Sequence, residues 1–452
     1  MRWLIFIFLM LWLPLFSCSR RSSLGSSRVR LVMWVTYQEE ELGLFRQIVR
    51  SFAREYRRRK GLEVEVVPQR VPFHDLTTYI RLAAMAGKTP DIARVDALKV
   101  VDMAYHKVLV RLDELSNFDA SSWREKGREF LRVPFMTNVV NIRGEVHLYG
   151  LPEQTTCLAL FWNKDLFAKV GLDPERPPRT WEELIAFAKR LTYTERRGGV
   201  VRRYYGFAMR NSLWWTMPFF ACFGAKLFQT DGRGRRSSLL GDRRACAAFQ
   251  LKVDLYRKYR VEAGAWKSGA ISPELGFLSN RYAMILMGPW ATERFRARGI
   301  RFGVGLIPRI GVRRARQAGI VEAGEIPRSG TNIGGNNLVI FRSSRHKEIA
   351  YDFIRYFTSY EVQKLWCLRL KQIPVHRRVY EELRSRSGSL GVFMRQIRYA
   401  ILPPSIPGYG RLEADIVNPE MELALQGKKT VQEALQSASE RVQREILERI
   451  NR

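Results

Sequence analysis

The stretch RLVMWVTYQEEELGLFRQIVRSFAREYRRRKGLEVEVV, residues 30–67, carries two hydrophobic periods in succession. RLVMWV (Arg30 to Val35) is a short apolar run and predicts a strand. Behind it Leu42, Phe45, Val49, Phe52 and Tyr56 recur at three- and four-residue steps, which places them on one helix face. LEVEVV (Leu62 to Val67) then alternates as a second strand. Further on, LTTYIRLAAMAG predicts a helix stopped at Gly87, and DIARVD (Asp91 to Asp96) a third strand. Strand–helix–strand alternation predicts an α/β fold with a mostly parallel sheet flanked by helices.

The rest of the chain continues the pattern. YGLPEQTTCLALFWNKDLF (Tyr149 to Phe167) predicts one strand and a helix start. Thr180 and Glu183 form a capping box ahead of the stripe Leu184, Phe187, Ala188 and Leu191, and Thr430 and Glu433 cap the last helix. FGVGLIP (Phe302 to Pro308) and NNLVIF (Asn336 to Phe341) predict further strands. With 452 residues, 46% of them hydrophobic, the chain exceeds one core and predicts two lobes.

At the N-terminus Arg2 precedes an apolar run, Trp3 to Phe16, shorter than the roughly twenty residues of a permanent membrane span. Its basic start and the small Ser17 before Cys18 fit an export signal, and LFSC resembles a bacterial lipobox. That resemblance implies a lipid on Cys18, a signal peptide over 1–18, a flexible tether over 19–28, and an exported protein held at the membrane. An ordinary signal peptide with an incidental cysteine is the other reading. Cys157, Cys222, Cys246 and Cys367 lack zinc or redox spacing and read as small hydrophobes, with one disulfide left open. No metal or cofactor is expected.

Lys and Arg number 76 against 44 Asp and Glu, a net charge of +32. The excess is spread out, as in Arg54, Arg57, Arg58 and Arg59, while GRGRR (Gly232 to Arg236) and RRAR (Arg313 to Arg316) read as solvated loops. No nucleic-acid motif accompanies it, so a solvated, anion-attracting surface is expected and no specific nucleic acid.

YAMILMGPWATERF, residues 282–295, poses the functional question. An apolar strand breaks at Gly288-Pro289 and delivers Trp290 where the strand should end. Core packing is one explanation of the indole, and a ligand face is the other.

The order of motifs resembles the extracellular solute-binding proteins of ABC sugar importers, the maltose-binding-protein-like group. The matching pieces include TPDIARVD (Thr89 to Asp96), the segment Tyr149 to Thr192, AMILMGPW (Ala283 to Trp290), NIGGNNLVI (Asn332 to Ile340) and IPGYGRLE (Ile406 to Glu413). The resemblance implies a two-lobed periplasmic-binding-protein fold with hinge crossings near Pro152, Gly334-Gly335 and Pro374. The first lobe would be 28–153 and 335–375, the second 154–334 and 376–452. It implies a carbohydrate held in the cleft and passed to the transmembrane subunits of an ABC permease, with no catalytic residues.

Sugars present apolar C–H faces and a rim of hydroxyls, which aromatic faces and polar side chains suit. Carried over by position, the aromatics are Trp290, Trp214 with its neighbour Trp215, and Tyr409. The polar candidates are Gln38, Glu39, Asp96, Gln154, Thr156 and Asn336; Thr155 lies beside them. Asp96 equally fits a helix cap, Glu39 a favourable charge at a helix N-terminus, and Thr156 a buried strand position. Many relatives have an aromatic where this chain has Gly334-Gly335-Asn336-Asn337, which argues against a long oligosaccharide stack. The charge excess keeps open a sugar acid or glycerol-phosphate-type solute, with Arg94 and Arg210 as anion partners or as members of surface salt bridges. A secreted glycan-active enzyme is the third reading, but no paired-carboxylate signature, G-x-S-x-G or H-E-x-x-H is present.

Overall fold

A computed structural model describes residues 28–317, 319–320, 327–401 and 406–451. The signal segment, Cys18 and the tether up to residue 27 lie outside the described residues. β1 (Arg28–Val35), β2 (Glu63–Arg70) and β3 (Ile92–Asp96) are the three strands expected from the opening stretch, with β1 parallel to both others. The helix between β1 and β2, Glu39–Lys60, buries Leu42, Phe45, Ile48 and Phe52. It begins where the backbone N–H of Gln38 donates to Glu41 Oε2 at 2.8 Å. Its acidic first turn and basic last turn both complement the helix dipole. Gly61, at φ 68°, ends it in the left-handed region.

β4 (Gly150–Thr156) and β10 (Gly334–Ile340) complete the first sheet, in the order β2-β1-β3-β10-β4. β10 runs antiparallel to both neighbours, so four strands point one way and one is reversed. The second sheet contains β5 (Ala159–Asn163), β6 (Tyr193–Arg197), β7 (Val200–Ala208), β8 (Tyr282–Met287) and β9 (Phe302–Gly305), in the order β9-β5-β8-β7-β6. Here only β7 and β8 pair in parallel. This sheet is more mixed than expected for local reasons. β6 and β7 form a hairpin through Gly198 and Gly199, both at positive φ, a turn that forces antiparallel pairing. β5 enters directly from the first sheet, without a helical crossover.

The segment 149–163 is therefore two strands in two sheets, not one. Pro152 sits inside β4, and the chain crosses at Cys157–Leu158, past the expected boundary at 153. The Leu158 N–H donates to Thr331 Oγ1 at 3.1 Å and Asn332 Oδ1 at 3.2 Å, which ties the first crossing to the second. Gly335, at φ 144°, would place a Cβ 2.1 Å from the Gln154 carbonyl oxygen, so only glycine fits between these strands. A third segment joins them where Ile373 bridges Thr155.

Each sheet has its own core. Phe45, Phe353, Phe357 and Trp366 pack on one face of the first, while Trp181, Phe207, Phe219 and Leu435 belong to the second. Cys157, Cys222, Cys246 and Cys367 are all free thiols, and burial pushes the Cys222 thiol up to about 12. RRAR lies in a short helix, Val312–Gln317, rather than a loop, because Ala315 is drawn into the core. Among the described residues no group of three or more His, Cys, Asp or Glu could hold a metal ion, and no helix is long and apolar enough to cross a membrane.

Candidate functional site

β8 is buried along its whole length and stops at Met287. Pro289 cannot extend the ladder, and the chain turns through Pro289–Ala291. Trp290 is left 41% exposed between buried neighbours, so the core-packing explanation fails. Its indole folds back over Gly288, where a Cβ would lie 1.8 Å from the ring. It joins Trp214, centroids 6.3 Å apart, and Trp215, 6.5 Å apart, while those two meet edge to face at 5.2 Å.

Trp214 and Trp215 open the helix Leu213–Cys222, whose first N–H groups are satisfied by side chains from a distance. Leu213 N donates to Asn418 Oδ1 at 2.7 Å and Trp214 N to Glu413 Oε1 at 2.9 Å. Trp214 also donates through Nε1 to the Ile333 carbonyl at 3.2 Å, and its own carbonyl accepts from Asn332 Nδ2 at 3.0 Å. A Cβ on Gly334 would stand 3.1 Å from its ring and 3.3 Å from Thr156 Cγ2. The aromatic cluster thus rests directly on the crossing between lobes.

Behind it lies a buried lysine. Lys252 is fully enclosed and donates to Thr216 Oγ1 at 2.6 Å, the Arg210 carbonyl at 3.1 Å and Asn211 Oδ1 at 3.2 Å. Burial pulls its pKa down to about 7, against the charge of Glu262. Glu262, itself buried, accepts from the N–H groups of Met209, Gly264 and Ala265 and is pushed up to about 7 by burial. Residues 209–216 are therefore held from behind by two buried ionisable groups. In front, the Arg210 guanidinium lies over the Trp215 ring, 5.5 Å from its centroid.

The first lobe contributes a second network. Arg94, 4% exposed, donates to Glu153 Oε2 at 2.8 Å, Thr36 Oγ1 at 2.6 Å and Gln154 Oε1 at 2.6 Å, and lies 4.7 Å over the Tyr37 ring. Asn336, with its carboxamide oxygen turned inward, accepts from Arg94 Nη2 at 2.9 Å. Burial pushes the Glu153 carboxyl up to about 7 against the pull of Arg94. Arg94 is thus neither a surface salt bridge nor a free anion partner. Gln154 and Asn336 are engaged by it.

The other candidates separate. Gln38 is exposed at the start of its helix, and Glu39 pairs with Arg70. Asp96 accepts from Leu98 N at 2.8 Å and is the helix cap, with burial raising its pKa. Thr156 is buried beside Trp214, and its Oγ1 has no partner among the described residues. Tyr409 corrects the expectation of a third aromatic face: it is 1% exposed. Gly408, at φ 80°, turns the chain and donates its N–H to Asp102, which seats the Tyr409 ring among Leu412 and Ile416 of the second core. Lys252 and Glu413 were not singled out from sequence. Lys252 had a signal: with Ala245, Ala248, Phe249 and Leu255 it completes one stripe of the helix Arg243–Arg257, a lysine on an apolar face. Glu413, in contrast, acts through a contact 199 residues away.

The profile of the bacterial extracellular solute-binding proteins matches residues 50–384. A maltotriose-binding protein of Pyrococcus abyssi is 25% identical over 399 residues, 87% of this chain and 76% of that protein. An ABC transporter solute-binding protein of Thermotoga lettingae, solved with α-D-tagatose, superposes with a TM-score of 0.73 at 24% identity, covering 92% of this chain and 98% of that one. The GacH receptor of Streptomyces glaucescens, solved unliganded and with acarbose, gives 0.74 at 22% identity over 93% and 99%. The fold is the two-lobed arrangement of these proteins.

Proposed function

This chain belongs to the bacterial extracellular solute-binding protein family, and from that premise we propose that it captures a carbohydrate between its lobes and delivers it to the transmembrane subunits of an ABC permease. The observation that carries the reading is Trp290, held 41% exposed beside Trp214 and Trp215 at the crossing. A large apolar ring left partly open where two lobes meet suits the C–H face of a sugar. Trp214 supplies a second wall, and the unpartnered Thr156 hydroxyl a hydrogen-bonding group at the cleft floor. Gln38 would face the ligand from the first lobe, while Glu39 is held by Arg70, Asp96 caps its helix, and Gln154 and Asn336 act through Arg94. The relatives named above bind maltotriose, tagatose and acarbose, which supports the same ligand class here.

A receptor of this kind needs no chemical step, only a ligand that favours the closed state over the open one. Micromolar affinity corresponds to about −8 kcal/mol, within reach of one or two ring faces and several hydroxyl bonds. Cys18 would carry the lipid anchor, with the segment to residue 28 as its tether; release of a Cys18→Ser variant from the membrane fraction tests that point. A thermal-shift screen against mono- and disaccharides tests the function. A binding sugar present at a hundred times its dissociation constant stabilises the fold by about 2.7 kcal/mol. Failure of every sugar to shift the melting temperature would refute the proposal.

A further inference from the structure

We infer that Arg210 is a specificity-determining residue that selects an anionic sugar, one bearing a carboxylate or phosphate, at the cleft proposed above. The inference rests on that carbohydrate reading and names the ligand class within it. Arg210 immediately precedes the aromatic segment, and its guanidinium covers the Trp215 ring, 5.5 Å from the centroid. Trp215 in turn meets Trp290, 6.5 Å between centroids, so the cation sits one ring away from the half-open indole.

Three further observations point the same way. First, Arg210 is half-buried, yet among the described residues no ion pair holds it. The other cleft guanidinium, Arg94, is fully engaged by Glu153, Thr36 and Gln154. Second, the carboxylates bound to this segment are engaged by backbone N–H groups: Glu413 accepts from Trp214 N, and Glu262 from Met209, Gly264 and Ala265 N. Third, the Arg210 backbone is fixed, because its carbonyl accepts from the buried Lys252 Nζ at 3.1 Å. A guanidinium held over an indole by cation–π attraction spends none of its N–H donors on that contact, which leaves them for a carboxylate or phosphate. The net charge of +32 adds a long-range field that favours the approach of an anion.

Matched pairs of sugars test this by isothermal titration: D-glucose against D-glucuronate, D-galactose against D-galacturonate, and D-glucose against D-glucose 6-phosphate. The expected result is that at least one anionic member binds ten-fold or more tightly than its neutral partner. That ratio should shrink as salt rises, fall to near one in Arg210→Gln, and be partly kept in Arg210→Lys, with circular dichroism confirming that both variants fold. The carboxylate and phosphate arms identify which anion is taken. If Arg210→Gln does not fold, the wild-type ratio, its salt dependence and Arg210→Lys still decide. Neutral sugars binding as tightly as their anionic partners would overturn the inference and leave the carbohydrate reading standing. A preference that survives Arg210→Gln would overturn the role of Arg210. Binding of no sugar from any pair would overturn the inference, and the thermal-shift screen against mono- and disaccharides then decides the carbohydrate reading.

Discussion

Gly288 and Trp290 act as one unit. The indole lies over the glycine so closely that an added Cβ would meet ring carbon Cζ3 at 1.8 Å. Gly288→Ala must therefore swing the ring away; because Trp290 is already half in solvent, the fold should survive. We expect sugar affinity to fall at least ten-fold with the melting temperature little changed, read by titration and calorimetric scanning. Lys252 makes a different prediction. Its folded pKa of about 7 lies below the ordinary lysine value of 10.5. Between these values the unfolded chain holds the proton that the folded chain has released, so stability rises with pH across that window and is lost as pH falls toward 7. Chemical denaturation at pH 7 and 9.5 should show this rise in the wild type, approaching about 1.4 kcal/mol per pH unit, and its absence in Lys252→Met. Equal pH slopes for the two proteins would contradict it. At this scale Trp290 was legible in sequence because Gly-Pro breaks the strand locally. Tyr409 misled because its burial depends on Gly408 and on Asp102, 306 residues away.

Helix starts were the most legible elements, since a cap is a local contact. Thr180 Oγ1 accepts from Glu183 N at 3.1 Å, ahead of a helix that buries Trp181, Leu184, Ile185, Ala188 and Leu191, while the Glu183 carboxylate accepts from Arg179 N at 2.7 Å instead of closing the expected box on Thr180. Thr180→Ala should lower unfolding free energy by about 1 kcal/mol with sugar affinity unchanged, measured by urea denaturation and titration. The run Tyr149 to Asn163 shows the opposite case. Its breakers, Gly150 and Pro152, lie inside β4 and nothing at Cys157–Leu158 marks the break, so it reads as one strand. The break at Leu158 is imposed by Thr331 and Asn332, more than 170 residues downstream. The antiparallel pairing of β5 follows from the same crossing and was equally hidden.

In the whole molecule, two sheets with separate cores share a narrow waist where Thr155, Thr156, Gly334, Gly335 and Ile373 come together. The tryptophan cluster stands on this waist, so movement of one lobe relative to the other bears directly on the rings. Closure on a ligand, as proposed above, would need a few residues that absorb backbone rotation, and Gly334-Gly335 would supply them. The sequence order of motifs made this architecture visible through resemblance, whereas the Arg94 and Lys252 networks emerge only when distant segments meet.

Sugar capture as proposed turns on Trp290 presenting its face to a carbohydrate between the lobes. Isothermal titration of the wild type and Trp290→Ala with whichever sugar stabilises the protein is the most direct measurement. The prediction is saturable binding in the wild type and a loss of ten-fold or more in the variant. An undiminished affinity in Trp290→Ala would contradict a role for this indole in holding the sugar.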